Sequence, residues 1–327
     1  MSLKKSLLLS EFMTTVIVEL KASGRYSTAH VYESVLRSVS VYRGEALPLK
    51  ELTPEFLKNY ETHLTVHRNL TWNTSSTYLR CLQAVYNRAV ERSLAPFIPR
   101  QFSGVFTGIK RNHRRALAAP DMRRLLSSGT LPGDSLQLEK ARICLELMLR
   151  LRGLGFVDLA YLRQSDLKNG YLVLQRHKTH MPLHIRVNDD TLRLIHLLLN
   201  RHSSSPYLLD ILDGRLSGYA SYCDYQKQLR RFNVLLKQLA ASRRVPVSVS
   251  SYCARHTWAT QAKYCGIPTG VISEGLGHAS VTTTEAYLKA FDNGVLDRAN
   301  ARVINSIFRG NTKKKEDITA CNKTCYR

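Results

Sequence analysis

The sequence predicts a mainly α-helical protein with a small antiparallel β-sheet, arranged as two domains. Most of the chain spaces its apolar residues with a helical period, and a single pair of short β-like runs lies between residues 171 and 187. The stretch from residue 96 to 115 lacks both periods and is punctuated by proline and glycine. At 327 residues, the chain is long enough for two domains that each bury a core of their own.

Residues 1–95 are predicted to form a wholly helical first domain. Apolar residues recur at helical spacing over Leu7–Leu20, Ser27–Val41 and Asn73–Arg92. A further helix is predicted at Pro54, because Thr53 is a typical N-cap and proline fits the first helical position. Arg80 lies off the apolar face of its helix. Short helices with basic residues suggest a domain that grips DNA, although a helical bundle with solvated charges gives the same period.

Residues 96–115 are predicted to be a basic linker between the domains. The stretch ends in a cluster of basic residues without an apolar period, namely Lys110, Arg111, Arg114 and Arg115. Such a linker can lie along a phosphate backbone and let the two domains hold opposite faces of a duplex. A run of solvated charges on a surface loop is the alternative.

Residues 116–308 are predicted to form the second domain, followed by a disordered basic tail over 309–327. A helix follows Pro120, and Glu139–Leu151 is a strongly apolar helix. The runs Tyr171–Leu174 and Leu183–Val187 flank a turn and predict a β-hairpin. Later helices are predicted near Asp190–Arg201, Tyr222–Ser242, Ser251–Cys265 and Thr269–Leu276.

The charge balance favours a polyanionic partner. Lys and Arg number 48 against 25 Asp and Glu, which gives a formal net charge of +23. A ribosome-bound protein or a merely basic enzyme would share this excess. No run of apolar residues is long enough to span a bilayer, so we expect a soluble, cytoplasmic protein without a membrane partner. The 7 cysteines form no CxxC pair, which argues against a zinc site or a disulfide framework.

The most informative stretch is Leu276–Tyr287, which reads LGHASVTTTEAY. Thr282 and Glu285 fit a capping box, which predicts a helix that carries Tyr287 in its first turns. His278 lies in the turn before that helix, so an imidazole and a phenol are expected near one another. A tyrosine on a helix is by itself usually a core or surface aromatic residue.

The whole string resembles the terminal signature of the tyrosine recombinase (phage integrase) family. Upstream, Ala254–Thr260 is similar to the family segment that begins with a catalytic arginine, here Arg255. His177–Thr179 matches the family's β-turn lysine, here Lys178, and Phe156–Leu167 resembles the box after the first catalytic arginine. The helices from Thr77 onward resemble the family's core-binding domain. The resemblance covers residues 5–308, in order and spacing.

This resemblance implies a helical, SAM-like core-binding domain and an α+β catalytic domain acting on double-stranded DNA. Tyr287 would attack a phosphodiester, Arg255 and His278 would bind the phosphate, and Lys178 would protonate the leaving oxygen. No cofactor or metal is implied. The family assembles as a homotetramer on two DNA sites by exchanging a C-terminal helix, sometimes with accessory DNA-bending proteins. The matching stripe here is Leu296, Ala299, Val303 and Ile307, which packing onto its own domain would also explain.

Two positions depart from the family pattern. Gly155 stands where the family has its first catalytic arginine, and Arg152, about one helical turn (~5 Å) earlier, is favoured over Arg150 as its replacement. Tyr252 stands where a histidine usually precedes the second arginine, and its hydroxyl can bond a phosphate without carrying a positive charge.

These departures resemble recombinases of mobile elements. They keep open a catalytically inactive DNA-binding protein of the same fold. A type IB topoisomerase fits the two-domain signature less well. A metal-dependent nuclease is disfavoured, because the sequence has no acidic cluster and no His or Cys set at metal-binding spacing.

Overall fold

The computed structural model describes residues 7–110, 116–127, 135–202 and 204–288, together with Asp297, Asn300, Ala301, Val303 and Ile304. The first domain consists of four α-helices: α1 (Leu9–Ala22), α2 (Tyr26–Arg43), α3 (Pro54–Thr62) and α4 (Trp72–Glu91). A 3-10 turn at Leu49–Glu51 precedes α3, and a π-helical turn at His63–His67 follows it. The predicted start of α3 is confirmed, because the Thr53 side chain accepts a hydrogen bond from the Phe56 amide at 3.1 Å.

The first core extends beyond α4 into the segment predicted as linker. Phe102 and Val105 are buried together with the apolar faces of α1 to α4. The Glu61 carboxylate accepts a hydrogen bond from the Phe106 amide at 2.6 Å, which ties this segment to the end of α3. The chain therefore remains packed on the first domain to at least residue 106.

The second domain is built around the buried helix α6. Its helices are α5 (Ala119–Leu126), α6 (Leu136–Arg150), α7 (Phe156–Ala160), α8 (Asp189–Leu197), α9 (Gly218–Ser242), α10 (Tyr252–Tyr264), α11 (Thr269–Gly275) and α12 (Val281–Tyr287). Leu145, Leu147 and Met148 of α6 are fully buried in a core that also takes side chains from α5, α9 and the sheet.

The predicted hairpin is confirmed as part of a three-stranded antiparallel sheet. Its strands are β1 (Leu167–Lys168), β2 (Tyr171–Gln175) and β3 (Pro182–Arg186), in that order. In β2, Leu172 and Leu174 face the core, while Val173 and Gln175 are exposed. Strand residues alternate between two faces, so the next inward position after Leu174 is residue 176.

The start of α12 differs from the predicted capping box. The helix begins at Val281 after an extended Ser280, and no side chain caps it. Thr282 therefore lies inside the first turn, where it cannot act as the N-cap. The prediction of a helix that carries Tyr287 is confirmed by the backbone.

The two domains touch through aromatic residues of α2 and α9. The Tyr26 ring lies 5.7 Å from the Tyr219 ring and 6.0 Å from the Tyr222 ring. The Lys21 ammonium lies 4.3 Å above the Tyr219 ring centre. No helix within the described ranges is long and apolar enough to cross a membrane. The predicted C-terminal stripe lies outside the described residues except for Val303, and so does the 309–327 tail.

Candidate active site

Four of the predicted catalytic residues line one cleft in the second domain, with a volume of about 260 Å³. They are Lys178, Tyr252, Arg255 and His278. The cleft lies between the β2–β3 turn, α7, α9, α10 and the turn before α12. Among the described residues that line it, none is acidic. A cleft with cationic side chains and no carboxylate suits an anionic ligand.

Arg255 is buried at the base of the cleft, with 3% of its surface exposed. Its Nη1 donates to the Gly153 carbonyl at 3.1 Å, and its Nη2 donates to the Leu276 carbonyl at 2.7 Å. Gly153 permits this packing, since a Cβ built on it would lie 2.9 Å from the Arg255 Cα, and its φ of +67° suits glycine. The turn after α6 therefore rests directly on α10 and orients the guanidinium.

His278 is held in the turn between α11 and α12. Its Nδ1 lies 2.7 Å from the Thr284 hydroxyl oxygen, and its amide donates to the Ser273 carbonyl at 3.0 Å. Burial, and then the positive charges of Arg255 and two nearby basic side chains, lower the pKa of His278 to about 4. The imidazole is therefore neutral at pH 7.

Lys178 is exposed at the tip of the β2–β3 turn, while its neighbours are anchored. The His177 amide donates to Asp158 Oδ1 at 2.8 Å, and the His177 ring lies 4.4 Å from the Tyr161 ring. The Thr179 hydroxyl donates to the Gly277 carbonyl at 3.1 Å. The lysine thus projects from a turn that is fixed on both sides.

Tyr287 is the last residue of α12, three residues after Thr284. Positions three apart lie on the same face of a helix, so the backbone places position 287 on the face that holds His278. The side chain of Tyr287 is outside what the structure describes. Tyr252, at the start of α10, is 45% exposed, and its ring lies 6.1 Å from that of His256.

The sequence reasoning missed Arg176, which also lines the cleft and is only 6% exposed. Its Nε donates to Asp158 Oδ2 at 3.1 Å, and its Nη1 donates to the Leu276 carbonyl at 2.8 Å. The signal was present in the sequence. Leu172, Leu174 and residue 176 are in phase on the inward face of β2, and a buried arginine in that phase requires an acidic partner.

Two protein-family models match this chain. Residues 126–293 match the phage integrase family, and residues 8–101 match the phage integrase SAM-like domain. The longer match covers more than half of the chain. The chain belongs to the phage integrase family of tyrosine recombinases. The predicted family and fold class are thereby confirmed.

Solved integrase structures share the fold of this recombinase. The Tn1549 transposon integrase in complex with a circular intermediate DNA is 18% identical, with a TM-score of 0.63 over 91% of this chain and 100% of that chain. A lambda integrase dimer bound to a COC' core site is 15% identical, with a TM-score of 0.64 over 88% of this chain and 80% of that chain. A lambda integrase tetramer bound to a Holliday junction is 16% identical, with a TM-score of 0.64 over 89% and 81%. A comparison with curated proteins gives no match.

The arginines predicted to replace the family's first arginine are not among the residues that line the cleft. Arg152 stands in the turn after α6 with a φ of +59°, and a Cβ built on Gly275 would lie 3.9 Å from its Cδ. Arg150 pairs with Glu146 at 2.7 Å and lies 3.9 Å from Asp190. Neither arginine lines the cleft of this recombinase, and the role of Arg152 stays a prediction.

Two of the predicted DNA-binding residues lie along one face of α4, Arg80 on the helix itself and Lys110 in the segment that is bonded to its start. The Asn73 side chain, at the start of α4, accepts a hydrogen bond from the Lys110 amide at 2.7 Å and donates one to the Lys110 carbonyl at 2.8 Å. The Lys110 ammonium lies 4.1 Å above the Trp72 ring centre. Arg80 is exposed further along the helix, seven residues after Asn73. Arg111, Arg114 and Arg115 lie outside the described residues.

Proposed function

We propose that the protein is a site-specific DNA recombinase of the integrase or invertase type, which cuts and rejoins strands through a 3′-phosphotyrosyl intermediate without a cofactor. The observation that carries this proposal is the cleft itself. It gathers Lys178, Arg255 and His278, and the helix that bears Tyr287 begins at its rim. Within the described residues, no group of His, Cys, Asp or Glu side chains is arranged to hold a metal ion.

Tyr287 is the proposed nucleophile. Its phenolic oxygen attacks the scissile phosphorus, the bond from phosphorus to the 5′ oxygen breaks, and a 3′-phosphotyrosine forms. A phenol with a pKa near 10 is mostly protonated at pH 7, so its proton must pass to a neighbouring base as the oxygen attacks, and the neutral imidazole of His278 is the proposed acceptor. The bond to the enzyme conserves the energy needed to rejoin the strand.

Arg255 and His278 stabilise the charge that develops on the phosphate. The Arg255 guanidinium is held rigidly by two carbonyls, and a planar fork matches two phosphate oxygens better than an ammonium does. The imidazole of His278 is neutral before DNA binds, and the incoming phosphate charge favours its protonation. Fixed donors of this kind need no reorganisation during the reaction.

Lys178 is the proposed general acid. It is exposed at a turn whose flanking residues are anchored, so its flexible side chain can reach a departing oxygen while its Cα stays in place. The proton passes from the ammonium to the 5′ oxygen as the bond to phosphorus breaks. In the rejoining step the same group takes the proton back.

Double-stranded DNA is the proposed partner. The net charge of +23 supplies the attraction, and the solved structures with the same fold contain DNA. Arg80 on α4 and Lys110, which is bonded to the start of that helix, would contact the phosphate backbone together with Arg111, Arg114 and Arg115. We further propose a homotetramer on two sites, assembled by exchange of the segment 296–308, with accessory DNA-bending proteins in some reactions.

Trapping the covalent intermediate tests the function. Sheared genomic DNA that contains the gene is incubated with the protein, quenched with detergent, and the DNA bound covalently to protein is sequenced. A duplex with the recovered site and a nick next to the cleavage point is then used for quantitative assays, since loss of the short fragment prevents rejoining. The adduct should resist a 3′ exonuclease and leave a free 5′ hydroxyl.

Tyr287→Phe is the control variant. We expect an adduct with the wild-type protein and none with Tyr287→Phe, while both bind the site with similar affinity. Specific binding without an adduct from either protein would contradict the proposal and support a DNA-binding protein that has lost catalysis. Relaxation of supercoiled DNA with no recombinant product would support a topoisomerase.

A further inference from the structure

The position of the family's first catalytic arginine is occupied here by Gly155, which has no side chain to offer a phosphate. The space beside it holds the Arg176 guanidinium, because a Cβ built on Gly155 would lie 3.7 Å from Arg176 Nη2. Given the recombinase function proposed above, on which this inference rests, we propose that Arg176 is the catalytic arginine that binds the scissile phosphate together with Arg255.

The contacts of Arg176 orient it and leave it a donor for the phosphate. Its Nε and Nη2 both lie 3.1 Å from Asp158 Oδ2, and Nη1 faces the carbonyls of Leu276 and Gly277 at 2.8 and 3.4 Å. Nη2 carries two hydrogens, and the contact with Asp158 uses one of them. The other is available on the side of Gly155, which lines the cleft.

Arg176 and Arg255 are spaced as a pair. Both donate to the same oxygen, the Leu276 carbonyl, at 2.8 and 2.7 Å. Their terminal nitrogens cannot be further apart than the sum of these two distances, which is compatible with contact to one phosphate. Both charges also lower the pKa of His278, in agreement with this proximity.

Gly155 and Arg176 depend on each other. A Cβ at position 155 would stand 3.2 Å from Asp158 Oδ2, the carboxylate that orients Arg176. The same Cβ would lie in van der Waals contact with the Arg176 guanidinium, at 3.7 Å from Nη2. In this chain, the glycine at position 155 and the inward arginine on the hairpin therefore fit together.

The competing arginines provide matched controls. Arg150 is engaged by Glu146, and Arg152 points toward Gly275 from the turn after α6. Neither lines the cleft. Arg176→Gln and Arg152→Gln each remove one positive charge. A difference between them in cleavage therefore reports which arginine binds the scissile phosphate, and not a change in net charge.

The nicked duplex described above is prepared with either a normal or a methylphosphonate group at the scissile position. The methylphosphonate has no negative charge, so its cleavage gains little from a guanidinium. For Arg176→Gln we expect loss of adduct formation by about 10²–10³-fold on the phosphate and a much smaller loss on the methylphosphonate. Arg152→Gln is expected to cleave both within a few fold of the wild-type rate.

Removal of Arg176 leaves Asp158 as a buried carboxylate without its partner, which endangers folding. The double variant Arg176→Gln/Asp158→Asn removes both charges, and thermal unfolding and DNA binding report whether it folds. A folded double variant that cleaves the phosphate at the wild-type rate would overturn the role of Arg176. So would an equal loss on both substrates, or a selective loss on the phosphate with Arg152→Gln. A wild-type protein without an adduct on either substrate would contradict the recombinase function itself.

Discussion

The guanidinium groups of Arg176 and Arg255 donate hydrogen bonds to one acceptor, the main-chain carbonyl of Leu276. That carbonyl lies directly after α11, in the turn that also carries His278. One turn thus sets the separation of two cations and the position of the imidazole beside them. Changes to this turn, or to either arginine, should therefore reduce the rate of DNA cleavage much more than the affinity for DNA.

Arg255→Lys should abolish most of the cleavage although it keeps the charge. A lysine cannot reproduce the two bonds to the Gly153 and Leu276 carbonyls and also present a fork to the phosphate. We expect adduct formation to fall by about 10²–10³-fold, with DNA affinity nearly unchanged. Arg193→Lys, on the exposed surface of α8, is the control and should cleave normally. Wild-type cleavage by Arg255→Lys would rule out the bidentate role.

Gly277→Ala should destabilise the protein and slow cleavage by more than backbone strain alone would cause, because the added Cβ collides with residues of the site. Gly277 has a φ of +61°, and a Cβ there would stand 2.6 Å from the Arg176 Cδ and 3.1 Å from the Leu183 Cδ2. Gly170→Ala is the matched control, because its φ is +76° but nothing lies within 4 Å of its Cβ.

The control should therefore lose about 1–2 kcal/mol of unfolding free energy, the usual cost of alanine in the left-handed region. Gly277→Ala should lose more, and its rate of adduct formation should fall while that of Gly170→Ala does not. Urea unfolding and the nicked duplex give the two measurements. Equal stability losses in the two variants would contradict the close approach of residue 277 to Arg176.

Local patterns in the sequence account for much of the fold and for part of the site. The hairpin and most of the helices depend on neighbours a few residues away, which periodicity and turn chemistry describe well. Lys178, Arg255 and His278 were predicted from short motifs that resemble the family signature, and the fold then brings them to one cleft. The capping box at Thr282 is wrong for a related reason. Several adjacent serines and threonines can all serve as N-caps, and packing of the buried Thr284 against His278 selects the start at Val281.

Arg176 could not be placed from local patterns alone. Its partners Asp158 and Leu276 are 18 and 100 residues away in sequence, so the fold must be known before they can be paired. The inward phase of Arg176 on β2 was available, but it does not reveal what faces the side chain. Arg152 was predicted instead because it is the arginine nearest to Gly155 along the chain, whereas in the structure its side chain lies close to Gly275.

Lys178→Met should slow cleavage of a normal substrate but spare a substrate with a good leaving group. Replacement of the scissile 5′ oxygen by sulfur removes the need for a general acid, because thiols have a pKa near 8.5 and leave as anions. We expect a loss of about 10²–10⁴-fold on the oxygen substrate and a near wild-type rate on the sulfur substrate. Lys168→Met, exposed on β1 of the same sheet, should cleave both normally. An unchanged defect on the sulfur substrate would exclude Lys178 as the acid.

His278 should make the folded protein less stable as the pH falls. Burial and the nearby cations lower the pKa of His278 from its ordinary value of 6.5 to about 4 in the folded protein. The unfolded chain therefore binds a proton first, and this part of the stability is lost as the pH falls from about 6.5 toward 4. Its slope approaches about 1.4 kcal/mol per pH unit at most.

Urea unfolding at several pH values checks this dependence. The difference in unfolding free energy between wild type and His278→Gln should shift against the wild type across that window and stay constant above pH 7 or so. His196→Gln, on the exposed side of α8, controls for the loss of a histidine. A difference that does not vary with pH would contradict a buried, neutral His278.

Asn73 should control DNA affinity through the segment that it holds rather than through charge. Its side chain makes two hydrogen bonds to the Lys110 main chain, so Asn73→Ala releases Lys110 without changing the charge of the protein. Lys110→Met removes the charge itself. A labelled duplex titrated at several salt concentrations separates these effects, since each phosphate contact adds about 0.9 to the slope of log K against log salt. We expect Lys110→Met to lower the slope by about that amount, and Asn73→Ala to weaken binding by a few fold with a smaller change in slope.

Lys50→Met is the control, because Lys50 is exposed at the 3-10 turn before α3, and this variant should leave both affinity and slope as they are. An equal fall in slope for Lys50→Met would mean that Lys110 contributes only to the general charge, and not to a phosphate contact positioned by α4.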